Sequence, residues 1–232
     1  MREGPPDPHA TIARVRLPSP ADRPRRSLLL AACAVSALGC AYFQLPVQPG
    51  DVLFQDDFSL DSSGWDQYQD STYSADYESG QYRITVAVPQ TDAWANPRLR
   101  FQDVRLEVEA SKLGGPDDNV FGVLCRYQDP RNFYFFLISS DGFVGVGAYK
   151  DGRRKLLSDD SLLPSPAVIQ GAATNSLRAE CIGYKLDLYV NSFLVSQAQA
   201  AEWMEGDVGL LAGTYGQGGT DIGFDNFTIT QP

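Results

Sequence analysis

The chain of 232 residues is 43% hydrophobic and 11% aromatic, enough apolar material for one sizeable core, and all-β units of this length commonly form a single domain. Residues 1–39 hold six arginines against Glu3, Asp7 and Asp22, a net of +3, so the total of −10 leaves −10 − 3 = −13 on residues 40–232. So acidic a body repels phosphate backbones and argues against a nucleic-acid partner.

The first recognisable segment is "RPRRSLLLAACAVSALGC". Arg23, Arg25 and Arg26 form a charged n-region, an apolar stretch runs over 28–38, and Gly39-Cys40 follows, the pattern of a secretory signal. The apolar stretch is short of the roughly 20 residues needed to cross a ~30 Å hydrocarbon core. Ala37-Leu38-Gly39-Cys40 resembles a bacterial lipobox in which Cys40 becomes the acylated N-terminus, although Ala37 stands where Leu is usual. Ordinary cleavage after Val35-Ser36-Ala37 is the alternative, and Arg25-Arg26 also resembles a twin-arginine signal. Either route leads out of the cytoplasm, and the lipobox predicts a lipid anchor at the outer face of the cell membrane. The expected organisation is a signal at 1–39, a lipid-anchored tether at 40–50 containing two prolines and a glycine, and a folded body at 51–232. With Cys33 inside the signal and Cys40 lipidated, Cys125 and Cys181 remain, and in an exported protein they are expected to form a disulfide; two buried thiols are the alternative.

From Val52 onward, short stretches rich in Val, Ile, Phe and Tyr recur every 8 to 15 residues. Strands are expected at 52–54, 81–88, 99–109, 120–127, 133–139, 143–149, 155–157, 176–181, 186–190, 194–198, 208–212 and 222–229, with one helical turn over 198–205. This is the pattern of an all-β, two-sheet antiparallel sandwich. Asp141-Gly142 and Asp151-Gly152 predict hairpins that make the strands from Phe133 to Leu157 a meander, because both turn positions accept positive φ. In the first of these strands Phe133, Phe135 and Leu137 share one face while Tyr134, Phe136 and Ile138 share the other. One set belongs to the core and the other to a covered or groove-lining face. By the same alternation Phe121, Val123 and Cys125 oppose Leu124 and Arg126, and Cys181 opposes Glu180. If the disulfide lies inside, Arg126 and Glu180 are expected together on the outer, concave side; a plain cross-strand ion pair is the simpler account of them.

The stretches "GVLCRYQDPRNFYFFLISSDGFVGVGAYKDG", "NSLRAECIGYKLDLYVN" and "GFDNFTIT" resemble concanavalin A-like jelly-roll domains of bacterial exported proteins, with LamG-like and 3-keto-disaccharide hydrolase-like domains as named relatives. The resemblance runs from Phe54 to Thr230 and implies two bent antiparallel sheets, ligands on the concave face, and terminal strands side by side at 55–58 and 224–227. It leaves activity open, since this architecture hosts lectins, glycosidases and adhesion modules.

The only histidine is His9, in the segment expected to be removed, so histidine-dependent triads are excluded from the body and zinc would have carboxylates alone. Glu107 and Glu109 alternate onto one strand face, as a retaining glycosidase would need, but lack the intervening Asp and the third acid that jelly-roll glucanases carry. No cofactor is required by the sequence; calcium is the one candidate, clipped between the terminal strands by Asp57 (or Asp56) and Asp225. The loop at 114–119 has acids without the ligand spacing of an EF-hand, and Asn226-Phe227-Thr228 matches a glycosylation sequon by coincidence.

Sugar binding needs aromatic faces flanked by planar polar groups on a rigid sheet. The candidate concave-face ligand residues are Arg126, Tyr134, Phe136, Glu180, Tyr149 and Trp94, with Trp65, Tyr127 and Asn132 as further possibilities. The expected function is non-catalytic binding of carbohydrate, or of another cell-envelope partner, by a membrane-anchored module. The alternatives are a hydrolase of keto-disaccharides or similar glycosides and a structural protein-interaction module.

Overall fold

Alternating burial builds the strands. In Gln81–Val86, for example, Tyr82, Ile84 and Val86 are fully buried while the intervening residues are partly solvated, the half-buried alternation that fits one face of a sheet. The computed structural model describes residues 46–232, which form sixteen strands and no helix. In chain order they are β1 (Val52–Asp56), β2 (Tyr68–Gln69), β3 (Tyr73–Glu78), β4 (Gln81–Val86), β5 (Asp92–Ala95), β6 (Val104–Gly114), β7 (Asn119–Asp129) and β8 (Asn132–Ile138). There follow β9 (Phe143–Lys150), β10 (Arg153–Leu156), β11 (Leu163–Pro164), β12 (Thr174–Ile182), β13 (Lys185–Val190), β14 (Phe193–Gln199), β15 (Asp207–Thr214) and β16 (Thr220–Thr230).

They pair antiparallel into two sheets. The nine-stranded sheet runs β14-β13-β12-β6-β16-β4-β3-β2, with β1 beside β16; the seven-stranded sheet runs β10-β9-β8-β7-β15-β5, with β11 beside β9. The terminal strands lie side by side as expected, Asp56 opposite Phe227. The predicted meander forms from β8, β9 and β10, and its second turn has the paired positive φ of a type I′ hairpin, 52° at Asp151 and 77° at Gly152. The first turn differs: only Gly142 takes positive φ (100°), and the Ser139 carbonyl accepts the Gly142 N–H in a longer loop.

Between the sheets lies the main core, which includes Tyr82, Ile84, Leu106, Phe121, Val123, Tyr134, Phe136, Phe224 and Phe227. The Cys125–Cys181 disulfide crosses it, tying β7 of one sheet to β12 of the other. A second, smaller core of Val120, Leu124, Phe133, Phe135, Leu137 and Leu211 covers the opposite face of the seven-stranded sheet.

Several sequence expectations are corrected. The helical turn at 198–205 is absent: β14 runs through Ala198 and Gln199, and the following loop is held open by the Tyr134 hydroxyl, which accepts the N–H groups of Glu202 and Trp203. The strand expected at 99–109 begins at Val104 and continues to Gly114. β2, β3, β5 and β11 were not anticipated because they are short or polar, "DAWA" in β5 having no β-branched residue to mark it. The signal at 1–39 and the lipidation site Cys40 lie outside the described residues. Of the expected tether, residues 46–50 are exposed, and the Gly50 N–H donates to the Gln231 carbonyl at 2.8 Å.

Candidate functional site

The smaller core decides where a ligand could sit. Side-chain alternation on β8 sends Phe133, Phe135 and Leu137 to one face and Tyr134, Phe136 and Ile138 to the other. The second set faces the nine-stranded sheet. Tyr134 and Phe136, expected to line a ligand surface, are therefore fully buried core residues, Tyr134 pairing in register with Cys125. Trp65 is likewise internal, its indole N–H donating to Asp56 at 2.9 Å.

Arg126 is also corrected. Its φ of 52° marks a bulge where the β7–β8 register shifts, and the regular alternation that would place it beside Leu124 fails there. Its guanidinium is buried and donates to the Trp203 carbonyl at 3.1 Å and to Asp103 at 3.2 Å; Asp103 also accepts the Gly183 N–H at the β12–β13 turn. Desolvation depresses the Arg126 pKa against the opposing pull of Asp103. Glu180 pairs instead with Arg105 at 2.9 Å and Arg178 at 3.5 Å, within the nine-stranded sheet. No Arg126–Glu180 platform exists. Asn132 is occupied by Asp129 and by the Asp151 N–H.

Tyr149 and Trp94 lie on the face of the seven-stranded sheet turned away from the main core. Both pack on the smaller core, joined by Tyr127 and Tyr215. Trp94 stands 5.1 Å from Phe133 and 5.7 Å from Tyr149, ring centre to ring centre, and Phe133 and Tyr149 stack at 4.9 Å. β5 and β9 are separated by three intervening strands, ~19 Å of flat sheet at ~4.8 Å per strand. Yet the Tyr149 hydroxyl donates to Asp92 Oδ2 at 2.5 Å. The sheet is therefore curled into a trough whose two sides meet.

The closure is a polar network absent from the sequence reading. Asp92 Oδ2 also accepts from Arg154 at 3.3 Å, and the Arg154 guanidinium donates to the Tyr215 hydroxyl at 3.1 Å while lying 5.4 Å over the Phe135 ring. Burial and the neighbouring Asp92 carboxylate push the Tyr149 hydroxyl pKa up, so it remains a donor. Glycine makes the geometry possible at two places. A Cβ on Gly213 would lie 1.9 Å from Asp92 Oδ1, and one on Gly147 would lie 2.3 Å from Phe135 Cζ. The trough is thus filled by the chain's own side chains, with open space beside the closure.

That space is a cleft of ≈ 380 Å³ at the β5 side, lined by Tyr68, Tyr73, Trp94, Asp66, Asp70 and Asp92, with Ala93 and Pro130. Tyr68 and Tyr73 pack edge to face at 5.3 Å, and the Tyr68 hydroxyl donates to the Trp94 carbonyl at 2.8 Å, which fixes both rings and the strand. Asp66 bridges to Arg98 at 2.7 Å. Asp70 accepts the Thr72 and Tyr73 N–H groups at 2.6 and 3.0 Å, and these hold its carboxyl below the usual range. A more open, charged cleft of ≈ 440 Å³ lies on the other side of the closure, lined by Arg154, Lys155, Leu156, Asp159, Asp160 and Tyr215. Among the described residues the Asp207 carboxyl is pushed up to about 6 by burial while it accepts the Leu99 and Val208 N–H groups. Sequence reasoning missed Tyr68, Tyr73 and Asp92 because β2, β3 and β5 were not recognised; the signal available was the alternation of Asp92 and Trp94 with the small buried Ala93 and Ala95.

The expected calcium clip is not assembled. Among the described residues no group of three or more His, Cys, Asp or Glu could hold a metal ion. Both Asp56 oxygens are taken, by the Phe58 N–H, Ser63 and the Trp65 indole. Asp57 turns onto Ser59, and Asp225 accepts the Asn226 N–H. Glu107 and Glu109 are exposed on β6 in the other sheet, opposite Arg178 and Ser176 of β12.

No protein-family model and no curated protein matches the chain. Among solved structures, the carbohydrate-binding module CBM66 from Bacillus subtilis superposes with a TM-score of 0.59 at 16% identity, covering 72% of this chain and 96% of that one. A Bacillus licheniformis β-glucanase gives 0.56 at 12%, over 80% of this chain and all of the other. The GH43 protein BlXynB from Bacillus licheniformis gives 0.57 at 19%, over 81% of this chain, which spans only 41% of that protein. These likenesses show the fold: the chain is a concanavalin A-like jelly-roll sandwich.

Proposed function

We propose that the chain is an exported, membrane-anchored module that binds carbohydrate without catalysis, using the cleft beside β5 rather than the centre of the concave face. The observation that carries this reading is the rigid set of three rings, Tyr68, Tyr73 and Trp94, around an open cleft of ≈ 380 Å³ beside carboxylates. Aromatic faces receive sugar C–H groups and planar acids receive hydroxyls, and rings held by packing and by the Tyr68 hydrogen bond lose little freedom on binding. The jelly-roll fold is shared with a protein whose name states that it is a carbohydrate-binding module. The basic-apolar N-terminus and Cys40 supply the export and anchoring part of the reading, with the outer face of the cell membrane as the destination. Thermal-shift measurements on the purified protein against a panel of soluble oligo- and polysaccharides test it. A specific ligand stabilises the folded state by mass action, so one sugar class should raise Tm in the protein and not in Trp94→Ala. No shift with any sugar overturns the reading.

A further inference from the structure

The Arg126 guanidinium is buried without a full set of acceptors. Nη1 donates to the Trp203 carbonyl at 3.1 Å and Nη2 to Asp103 at 3.2 Å, while Nε has no partner among the described residues. Nη1 also faces the Met204 thioether, whose sulfur lies 3.9 Å away. Sulfur is a weak acceptor, so this charged group is held on one side by a poor partner. A buried donor short of acceptors costs free energy, and burial depresses the Arg126 pKa even with Asp103 beside it.

Met204, in contrast, is 46% exposed, and it is the only methionine after Met1. The loop that carries it, between β14 and β15, is fixed on both sides of the residue. Before it, the Tyr134 hydroxyl accepts the Glu202 and Trp203 N–H groups; after it, the Glu205 carbonyl accepts from Gln128, and Gly206 and Phe101 exchange backbone bonds at 2.8 and 2.9 Å. One thioether thus stands between solvent and a buried cation that lacks acceptors.

We infer that Met204 is an oxidation site whose sulfoxide oxygen becomes an acceptor for Arg126, so that peroxide tightens the fold here. In the step, a sulfur lone pair attacks one oxygen of hydrogen peroxide. The S–O bond forms as the O–O bond breaks, and the departing hydroxide takes the proton from the transferred oxygen and leaves as water. Sulfur is oxidised by two electrons and peroxide is reduced by the same two. A polar sulfoxide inside an apolar core disrupts packing. Beside Arg126 the new oxygen meets a charged donor, and charge-assisted bonds are the strong ones.

Hydrogen peroxide treatment of the purified protein, followed by peptide mass spectrometry and thermal unfolding, tests this. Met204 should gain one oxygen atom, and Tm should rise by about 2–4 °C, the shift that one added hydrogen bond gives a domain of this size. Met204→Leu should show no rise under the same treatment. Met204→Gln, which carries an amide oxygen on a side chain of similar length, should show the rise without oxidant. Arg126→Ala should lose the response. A fall or no change in Tm on full conversion of Met204 would overturn the inference. So would a rise that persists in Met204→Leu or Arg126→Ala, or a Met204 that stays unmodified in peroxide that converts free methionine.

Discussion

The hydroxyl of Tyr149 on β9 donates to the carboxylate of Asp92 on β5 at 2.5 Å, joining two strands with three others between them in the same sheet. The bond closes a trough already filled by Phe133, Phe135 and Leu137. Tyr149→Phe should therefore cost about 1.5–2 kcal/mol of stability, the value of a hydrogen bond to a charged group, without altering the fold. Chemical denaturation measures it. An unchanged midpoint would mean that the two sides of the trough are held by packing alone.

Arg126 lies inside the protein, and its truncation should reveal that. Arg126→Ala removes a buried guanidinium from Asp103 and the Trp203 carbonyl, and with Asp103 still partly solvated the loss should be about 2–3 kcal/mol. Glycan binding at the β5 cleft should persist in whatever fraction remains folded. Loss of binding with an unchanged Tm would return Arg126 to the ligand surface.

The Cys125–Cys181 disulfide closes a loop with a sequence separation of 56 residues and ties the two sheets together. Chain-entropy arguments give about 4 kcal/mol for such a loop. Cys125→Ala/Cys181→Ala should lower stability by 2–4 kcal/mol in denaturant titrations. A loss below about 1 kcal/mol would show that the unfolded chain gains little freedom when the link is removed.

At Gly147 a Cβ would meet Phe135 Cζ at 2.3 Å and the Lys155 carbonyl oxygen at 2.5 Å. One of these is backbone and cannot move aside as a side chain does. Gly147→Ala should cost about 1–3 kcal/mol, in the range of overpacked cores. A neutral result, read by thermal unfolding, would mean that β9 and β10 separate easily.

Asp207 gives a signed pH dependence. Burial raises its folded-state pKa from 3.8 to about 6, so between these values the folded protein holds a proton that the unfolded chain has released. This contribution makes stability fall as pH rises through that window and levels it above about 6. Asp207→Asn should lack the fall and gain on the order of 1 kcal/mol over the parent at pH 7, after allowance for partial solvation. Parallel pH–stability curves for the two proteins would contradict the assignment.

What the sequence disclosed followed from periodicity. Alternation in Phe133–Ile138 and the Asp-Gly pairs foretold the meander, and the count of cysteines left in an exported chain foretold the Cys125–Cys181 disulfide, which the structure places between the sheets. Alternation alone could not say which face of β8 looks toward the second sheet, because both faces are fully buried, and so Tyr134 and Phe136 were put on the wrong side. Arg126 was misplaced for a different reason: a bulge with positive φ breaks the period of two, and nothing in "LCRYQ" signals it. The cleft residues Tyr68, Tyr73 and Asp92 come together only through curling of the sheet and approach of the two sheet edges, relationships between segments that no local pattern encodes.

The most direct test of carbohydrate binding at the β5 cleft is tryptophan emission during titration with the soluble oligosaccharide that raises Tm most, in the protein and in Trp94→Phe. Of the three tryptophans, Trp65 is buried in the core and Trp203 packs on Tyr134, so only Trp94 reports on the cleft. A saturable change in the parent that disappears in Trp94→Phe is the predicted result. A change that persists in the variant, or no change with this or any other glycan, would contradict it.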